Sequence, residues 1–269
     1  MDLSVVILSF NSEKHIEKCL AELHRAIVEC NISHEVFVVE NGSSDNSLEK
    51  IETFKEQFGS ALKIINLQKN TGTTYSRNQA ISQAQGKYVL VLDSDAYINS
   101  DALSRLTGYL REHQNVGIAV PRITYASGNF QLSCDQFPTL WSKLKRFFWL
   151  KKMESQSNTL AVAVEPVTVD YAISACWMIP KPVIDKVGLL DEAIFYSPED
   201  VDYCIRVWKA GYEIHYIPDV SIVHDAQELS RGFKISLFHF SHLKGIFYLM
   251  MKHKYLFGLK RLYRQLGRE

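Results

Sequence analysis

The 269-residue sequence predicts an α/β fold, with a mostly parallel central sheet flanked by helices and C-terminal amphipathic helices behind it. Three observations predict it. Short apolar runs alternate with segments of helical period through the first hundred residues. The helical segments are long enough to serve as crossovers, and a crossover between sequential strands makes those strands parallel. Polar residues gather after each apolar run, where an open parallel sheet places its ligand site.

The elements follow in order. Leu3 to Leu8 is the first strand, and Ile16, Leu20, Leu23 and Ile27 stand at helical spacing after it. Glu35 to Val39 is the second strand. Ser43 or Ser44 is placed to cap a helix carrying Leu48, Ile51, Phe54 and Phe58. Leu62 to Leu67 is the third strand, Thr73 or Thr74 opens a helix that stops near Gly86, and Tyr88 to Leu92 is the fourth strand. The second half is less regular. Val116 to Ile123 and Leu160 to Val169 look strand-like, around an irregular stretch holding the basic aromatic patch Trp141 to Lys152. Ala172 to Ile179 is apolar, Pro182 to Val187 suits a short helix, and Glu199 to Ala210 is a helix with Val201, Ile205 and Trp208 on one face. Ile214 to Ile217 and Val220 to Val223 suit two short strands.

Composition is that of an ordinary globular chain, 46% hydrophobic and 22% charged, able to bury a sizeable core. The five cysteines are odd in number, scattered and without a C-x-x-C pair, which argues against a disulfide framework or a zinc site and for a reducing compartment. No leader-like segment opens the sequence and no charge-free run is long enough to span a bilayer, so a cytoplasmic protein is expected. The zero net charge hides an asymmetry: residues 231–269 hold nine Lys or Arg against one acid, a tail of +8 on a remainder of −8. Aromatic and aliphatic residues interleave with those cations, a mixture suited to helices lying on an anionic membrane surface or packed on the core with a basic side in water. Nucleic acid is not expected, because no recognition motif accompanies the charge.

Asp93-Ser94-Asp95 closes the fourth apolar run. Alternate side chains of an extended chain share a face, so the two carboxylates can converge on one hard divalent cation, a kind of ion that often also carries a phosphate. Taken alone, two acids at such a turn equally well cap backbone.

Set in order, six blocks resemble glycosyltransferase family 2, whose fold is GT-A: Val5-Val6-Ile7-Leu8-Ser9-Phe10-Asn11, Val38 to Asp45, Asn70 to Asn78, Leu92 to Asp95, Pro198 to Arg206, and Val223-His224. The spacing and the tail most resemble the bacterial rhamnosyltransferase-like branch. The resemblance implies a nucleotide-binding half over 1–98, an acceptor-binding half over 99–230, together a catalytic domain of 1–230, and a basic amphipathic tail over 231–269. It implies Mn2+ or Mg2+ held by Asp95, Asp93 and His224, and a nucleotide-sugar donor contacted by Ser9, Asn11, Glu40, Asp45, Arg77 and Asp93. Glu40 stands where the family commonly has Asp. Asp200 is implied as the catalytic base with Glu199 beside it, and Asp170, Trp177 and Glu199 as acceptor contacts. Asp202 and Arg206 fit an i, i+4 scaffold pair.

The expected function is metal-dependent, inverting transfer of a sugar, rhamnose favoured, from a dTDP- or UDP-sugar to a cell-surface polysaccharide or polyprenyl-linked acceptor at the inner face of the cell membrane. The alternatives are a transferase of another UDP-hexose and a non-catalytic sugar-nucleotide or glycan-binding module. Nucleotidyl transfer would need a glycine-rich phosphate loop that this sequence lacks.

Overall fold

The structure is a computed structural model that describes residues 1–139, 159–225, 237–256 and 258–268. The Trp141 to Lys152 patch and the expected boundary at 230 lie outside the described residues.

Strand β1 (Leu3–Ser9) leads through α1 (Ile16–Cys30) to β2 (His34–Glu40), and α2 (Ser47–Thr53) and α3 (Lys55–Phe58) lead to β3 (Leu62–Asn66). Helix α4 (Thr73–Ile81) then returns the chain to β4 (Tyr88–Asp93), on the other side of β1. These four strands are parallel in the order β3-β2-β1-β4, with Val6 opposite both Phe37 and Val91. The strand order reverses between β1 and β4, and a ligand crevice forms where the strand ends diverge at such a point.

The second half extends the same sheet. In chain order it adds β5 (Ala96–Tyr97), α5 (Ser100–Glu112), β6 (Val116–Thr124), β7 (Cys134–Asp135), β8 (Val167–Thr168), β9 (Tyr171–Ala172) and β10 (Cys176–Pro180). Helices α6 (Lys181–Val187) and α7 (Glu199–Lys209) precede β11 (Glu213–His224), and α8 (Leu237–Lys252) and α9 (Leu259–Gln265) close the chain. Strand β10 runs antiparallel between β4 and β6, β11 runs parallel to β6, and β7 and β9 form a separate ribbon.

Pleating explains the near-continuous apolar strands, since both faces are covered. Val5 and Ile7 point to the side packed by α1 and α5, whereas Val6 points to the side packed by α4 and α7. The C-terminal helices belong to that second layer: Ile246, Leu249, Met250, Tyr255 and Leu262 are buried in it. No helix among the described residues is long and apolar enough to cross a membrane.

Several sequence expectations change. Neither Ser43 nor Ser44 caps α2, which begins at Ser47 after Asn46; Asp45 Oδ1 accepts from the Ser47 amide at 3.0 Å instead. Helix α4 ends at Ile81, well short of Gly86. Of the strand expected from Leu160 to Val169, only Val167–Thr168 is extended and paired. The apolar stretch Ala172 to Ile179 divides between β9 and β10, because residues 173–175 leave one sheet to join the other. The two short strands at 214–217 and 220–223 are one strand, β11, with an irregularity between Ile217 and Ser221. Helix α5 was not foreseen.

Candidate active site

The loops after β1, β2 and β3 lock one another at the carboxyl edge of the sheet. Asn11, held at φ 48°, donates its amide to Ser43 Oγ (2.9 Å) and accepts from the Ser44 amide (2.8 Å). Asn41 Oδ1 accepts from the Thr71 amide at 2.9 Å, and Asn41 Nδ2 donates to Asn70. Ser9 is buried with its hydroxyl against Ser12. Glu40 accepts from the amides of Gly42 (3.1 Å) and Ser43 (2.6 Å), so the departure from Asp is met by a buried side chain that closes its own turn. Asp45 accepts from the Glu13 amide at 3.1 Å and from Ser47; these bonds outweigh burial and lower its pKa. Glu40 and Asp45 thus fix the loops after β1 and β2 at the sheet edge where the donor contacts are expected.

The acidic pair meets a histidine from the far end of the sheet. Strand β11 pairs antiparallel with β5, His224 opposite Ala96, so the imidazole stands beside Asp95. One ligand atom each from Asp93, Asp95 and His224 lies within 4.8 Å of the others. His224 Nε2 is 3.2 Å from Asp95 Oδ1 and 3.8 Å from Asp93 Oδ2. Its Nδ1 is 3.1 Å from Gln131 Oε1, an acceptor; with a hydrogen on Nδ1, Nε2 donates to Asp95 when the ring is protonated and offers its lone pair to a cation when the ring is neutral. Burial alone would lower the His224 pKa; the bond to Asp95 and the charges of Asp95 and Asp93 outweigh it and raise the value. Two carboxylates and one imidazole are a donor set that fits Mn2+, or Mg2+ completed by water and phosphate oxygens.

Arg77 joins this cluster to helix α7. Its side chain is 3% exposed. One terminal nitrogen donates to Asp93; the other donates to Ser174 Oγ (2.7 Å) and lies 3.4 Å from Glu199 Oε1. The guanidinium expected to face a diphosphate is buried between Asp93 and Glu199, and the Asp93 carboxylate supplies the anion that a buried cation needs. The same bridge brings the metal cluster and the first turn of α7 into one neighbourhood. Asn78, one residue on, grips the loop before α7 through Leu190, accepting its amide at 3.0 Å and donating to its carbonyl at 2.9 Å.

Glu199 and Asp200 begin α7, where the helix dipole favours negative charge. Glu199 is 7% exposed, and burial followed by the neighbouring Asp200 charge pushes its carboxyl up to about 8. Near neutral pH Glu199 then keeps its proton. Asp202 forms its expected pair with Arg206 at 2.8 Å, and also accepts from Lys252 (2.6 Å) and His253 (2.8 Å) on the C-terminal segment.

Two expected acceptor contacts lie elsewhere. Trp177 is 1% exposed and stacks on Tyr203 in the core. Asp170 is buried under the C-terminal helices, accepting from Arg268 (2.6 Å), Tyr263 and the Phe137 amide (3.0 Å). Both are enclosed by packing that forms only in the assembled fold. Conversely, sequence reasoning passed over Gln131, which orients His224, and Tyr196, half exposed beside the site. Burial and the charges of Glu199 and Asp93 push the Tyr196 phenol up to about 12. Neither residue carries a motif; the position of Tyr196 shortly before Glu199 was the one available signal.

Comparison with known proteins bears on the family and the fold. Poly(ribitol-phosphate) beta-N-acetylglucosaminyltransferase TarS of Staphylococcus aureus (strain Mu50 / ATCC 700699) is 34% identical over 116 residues, 43% of this chain and 20% of that protein. The chain therefore aligns with about a fifth of that relative's length. The crystal structure of S. aureus TarS 1–349 in complex with UDP-GlcNAc superposes with a TM-score of 0.59 at 21% identity, covering 87% of this chain and 62% of that one. Mannosyltransferase PcManGT from Pyrobaculum calidifontis, in complex with GDP-Man and Mn2+, gives a TM-score of 0.64 at 16% identity, covering 93% of this chain and 64% of that one. At these identities the two structures establish the shared GT-A fold. The family model for glycosyl transferase family 2 matches residues 4–188, more than half of the sequence, and the chain belongs to that family.

Proposed function

We propose that the protein is a metal-dependent, inverting glycosyltransferase that takes a sugar from a pyrimidine diphosphate donor and adds it to a bacterial cell-surface polysaccharide or its lipid-linked precursor. The observation that carries this reading is the Arg77 bridge, because it joins a cation-binding triad to a helix that begins with two carboxylates.

Asp93, Asp95 and His224 would hold the cation, which when bound neutralises charge on the departing diphosphate. The interlocked loops bearing Ser9, Asn11, Glu40 and Asp45 form the floor for base and ribose, presenting backbone and short polar side chains. Asp200 accepts the proton of the acceptor hydroxyl while that oxygen bonds to the anomeric carbon and the sugar's bond to the diphosphate breaks. Glu199, protonated, keeps a second negative charge away from Asp200 and hydrogen-bonds near the acceptor. In-line attack on the face opposite the leaving group inverts the anomeric carbon. Residues 1–98 serve the donor and 99–230 the acceptor.

For the donor sugar, the named relative transfers N-acetylglucosamine and the TarS complex contains UDP-GlcNAc, so UDP-GlcNAc leads the panel and dTDP-rhamnose, expected from the sequence, follows. Thermal-shift screening of nucleotide sugars with Mn2+ or Mg2+ tests this, since a ligand bound by the folded state raises the transition temperature. A rise that needs both metal and nucleotide sugar is expected; no rise with any donor in the panel would overturn the reading.

Peripheral membrane contact at the cytoplasmic face is the second part. It is supported by Phe247 and Met251, exposed on α8, and by Lys244, Lys254, Lys260 and Arg261, exposed near them in sequence. Co-sedimentation with anionic vesicles, weakened by Lys254→Glu with Lys260→Glu, is the expected result. Equal recovery in the supernatant with neutral and anionic vesicles would defeat it.

A further inference from the structure

The segment from Asp191 to Asp202 carries Phe195, Tyr196, Glu199 and Asp200, and one helix stripe grips it at three places. Gly245, Tyr248 and Lys252 stand at i, i+3 and i+7 on α8, hence on one face. At Gly245 an added Cβ would lie 2.4 Å from Ser197 O and 2.8 Å from Pro198 Cδ, so the helix backbone rests directly on the turn before Glu199. Tyr248 donates its hydroxyl to Asp191 Oδ2 at 2.8 Å. Lys252 Nζ is 2.6 Å from Asp191 Oδ2 and 2.6 Å from Asp202 Oδ1.

One ammonium therefore ties both ends of the twelve-residue segment that bears the carboxylates. Asp202 is fully buried, with Lys252, His253 and Arg206 as its cationic or ring partners. Without Lys252 the Asp191 end keeps Tyr248 alone from this helix, and the tie from Asp191 to Asp202 is lost. The other side of the loop is already fixed by Asn78 on Leu190 and by the Thr73 amide on Phe195 O at 2.7 Å. The clamp is thus two-sided, and α8 supplies one of its jaws.

We propose that Lys252 is a positioning residue, holding the Asp191–Asp202 segment so that Asp200 faces the donor bound at the Asp93, Asp95 and His224 cluster. This rests on the proposed glycosyl transfer. It assigns to the C-terminal segment, which the family match does not reach, a part in the reaction itself.

Lys252→Met keeps the stem and removes the charge, and Lys252→Arg restores a cation. Turnover of UDP-GlcNAc or the donor found by screening, its KM, the affinity for UDP with Mn2+, and amide hydrogen exchange are measured on all three full-length proteins. For Lys252→Met, kcat falls about 10- to 100-fold, the scale of a small misplacement of reacting groups, while KM and UDP affinity stay within about twofold. Amides of 191–203 exchange roughly tenfold faster while those of β1 and β4 are unchanged, as for local opening, and Lys252→Arg recovers most of both losses. Wild-type kcat together with wild-type exchange in Lys252→Met overturns the proposal. So does faster exchange spread evenly over the chain, which marks general destabilisation. If Lys252→Met does not fold, Tyr248→Phe, which removes one bond of the same jaw, must show the same pattern at smaller size. If the wild type turns over no nucleotide sugar, the proposed function fails, whereas the grip still stands or falls on exchange in 191–203.

Discussion

Two adjacent acids at the start of α7 lie in different surroundings. Glu199 is enclosed beside Asp200 and Ser174, with its pKa raised to about 8, whereas Asp200 is partly open to solvent. Glu199→Gln copies the protonated form, so it should keep catalysis within about tenfold, while Asp200→Asn removes the base and should cost on the order of 100- to 10,000-fold in kcat. Initial-rate measurement on the pair checks this, and equal losses would contradict the division of roles. A sign follows for stability. Between the ordinary carboxyl pKa and about 8, the folded state holds a proton on Glu199 that the unfolded chain has released, so stability falls as pH rises through that window. Glu199→Gln should therefore show a shallower fall in Tm from pH 5 to 8 than the wild type. Gln131 acts on the metal cluster through His224 Nδ1, and Gln131→Ala should weaken Mn2+ binding about tenfold by calorimetry, the usual scale for losing a partner that orients a ligand. The Asp93, Asp95 and His224 grouping was legible in the sequence because each sits in a motif at a strand end. The burial of Arg77 was not: it depends on Ser174 and Glu199, 97 and 122 residues further along the chain.

Among the elements, β1, β2 and β4 were readable because they are apolar and buried on both faces, and α1 because it has a clear apolar stripe; β3, only partly buried, and α4, whose buried face is mostly polar, were readable from their place between turn signals. The second half resisted for physical reasons. Leu160 to Val169 has strand-like composition, yet only Val167 and Thr168 form a ladder with β11, to which Val169 adds a single bond on Ile214 O. Strand β11 hid its continuity behind Pro218-Asp219, which sit at the irregularity between Ile217 and Ser221. Trp177, an acceptor contact by the resemblance, is turned inward by β10 onto Tyr203. At this scale α7 is held from its buried side by Asp202, whose partners come from α7 itself and from α8 and the residue after it. Asp202→Ala strands those cations, and breaking such a buried network costs roughly 3 kcal/mol. Chemical denaturation should register that loss, and a change below about 0.5 kcal/mol would show the network to be idle.

Over the whole molecule, the charge asymmetry of the sequence becomes a packing relation. The C-terminal cations Lys252 and Arg268 meet Asp191, Asp202 and Asp170 of the preceding part, and five apolar side chains of the same segment enter the core. Burying a large apolar side chain contributes about 1.5 kcal/mol or more. Five of them approach the 5–15 kcal/mol that holds an ordinary domain folded. Truncation at residue 230 should accordingly abolish cooperative unfolding rather than merely free the protein from membranes, as circular dichroism melting would record. The proposed reaction requires a cation-bound donor that faces Asp200. Its most direct test is calorimetric titration of the donor found by screening into Asp200→Asn with Mn2+, in parallel with a turnover assay of that protein. The account predicts wild-type donor affinity that vanishes on chelation, with transfer lost; undiminished transfer by Asp200→Asn would contradict it.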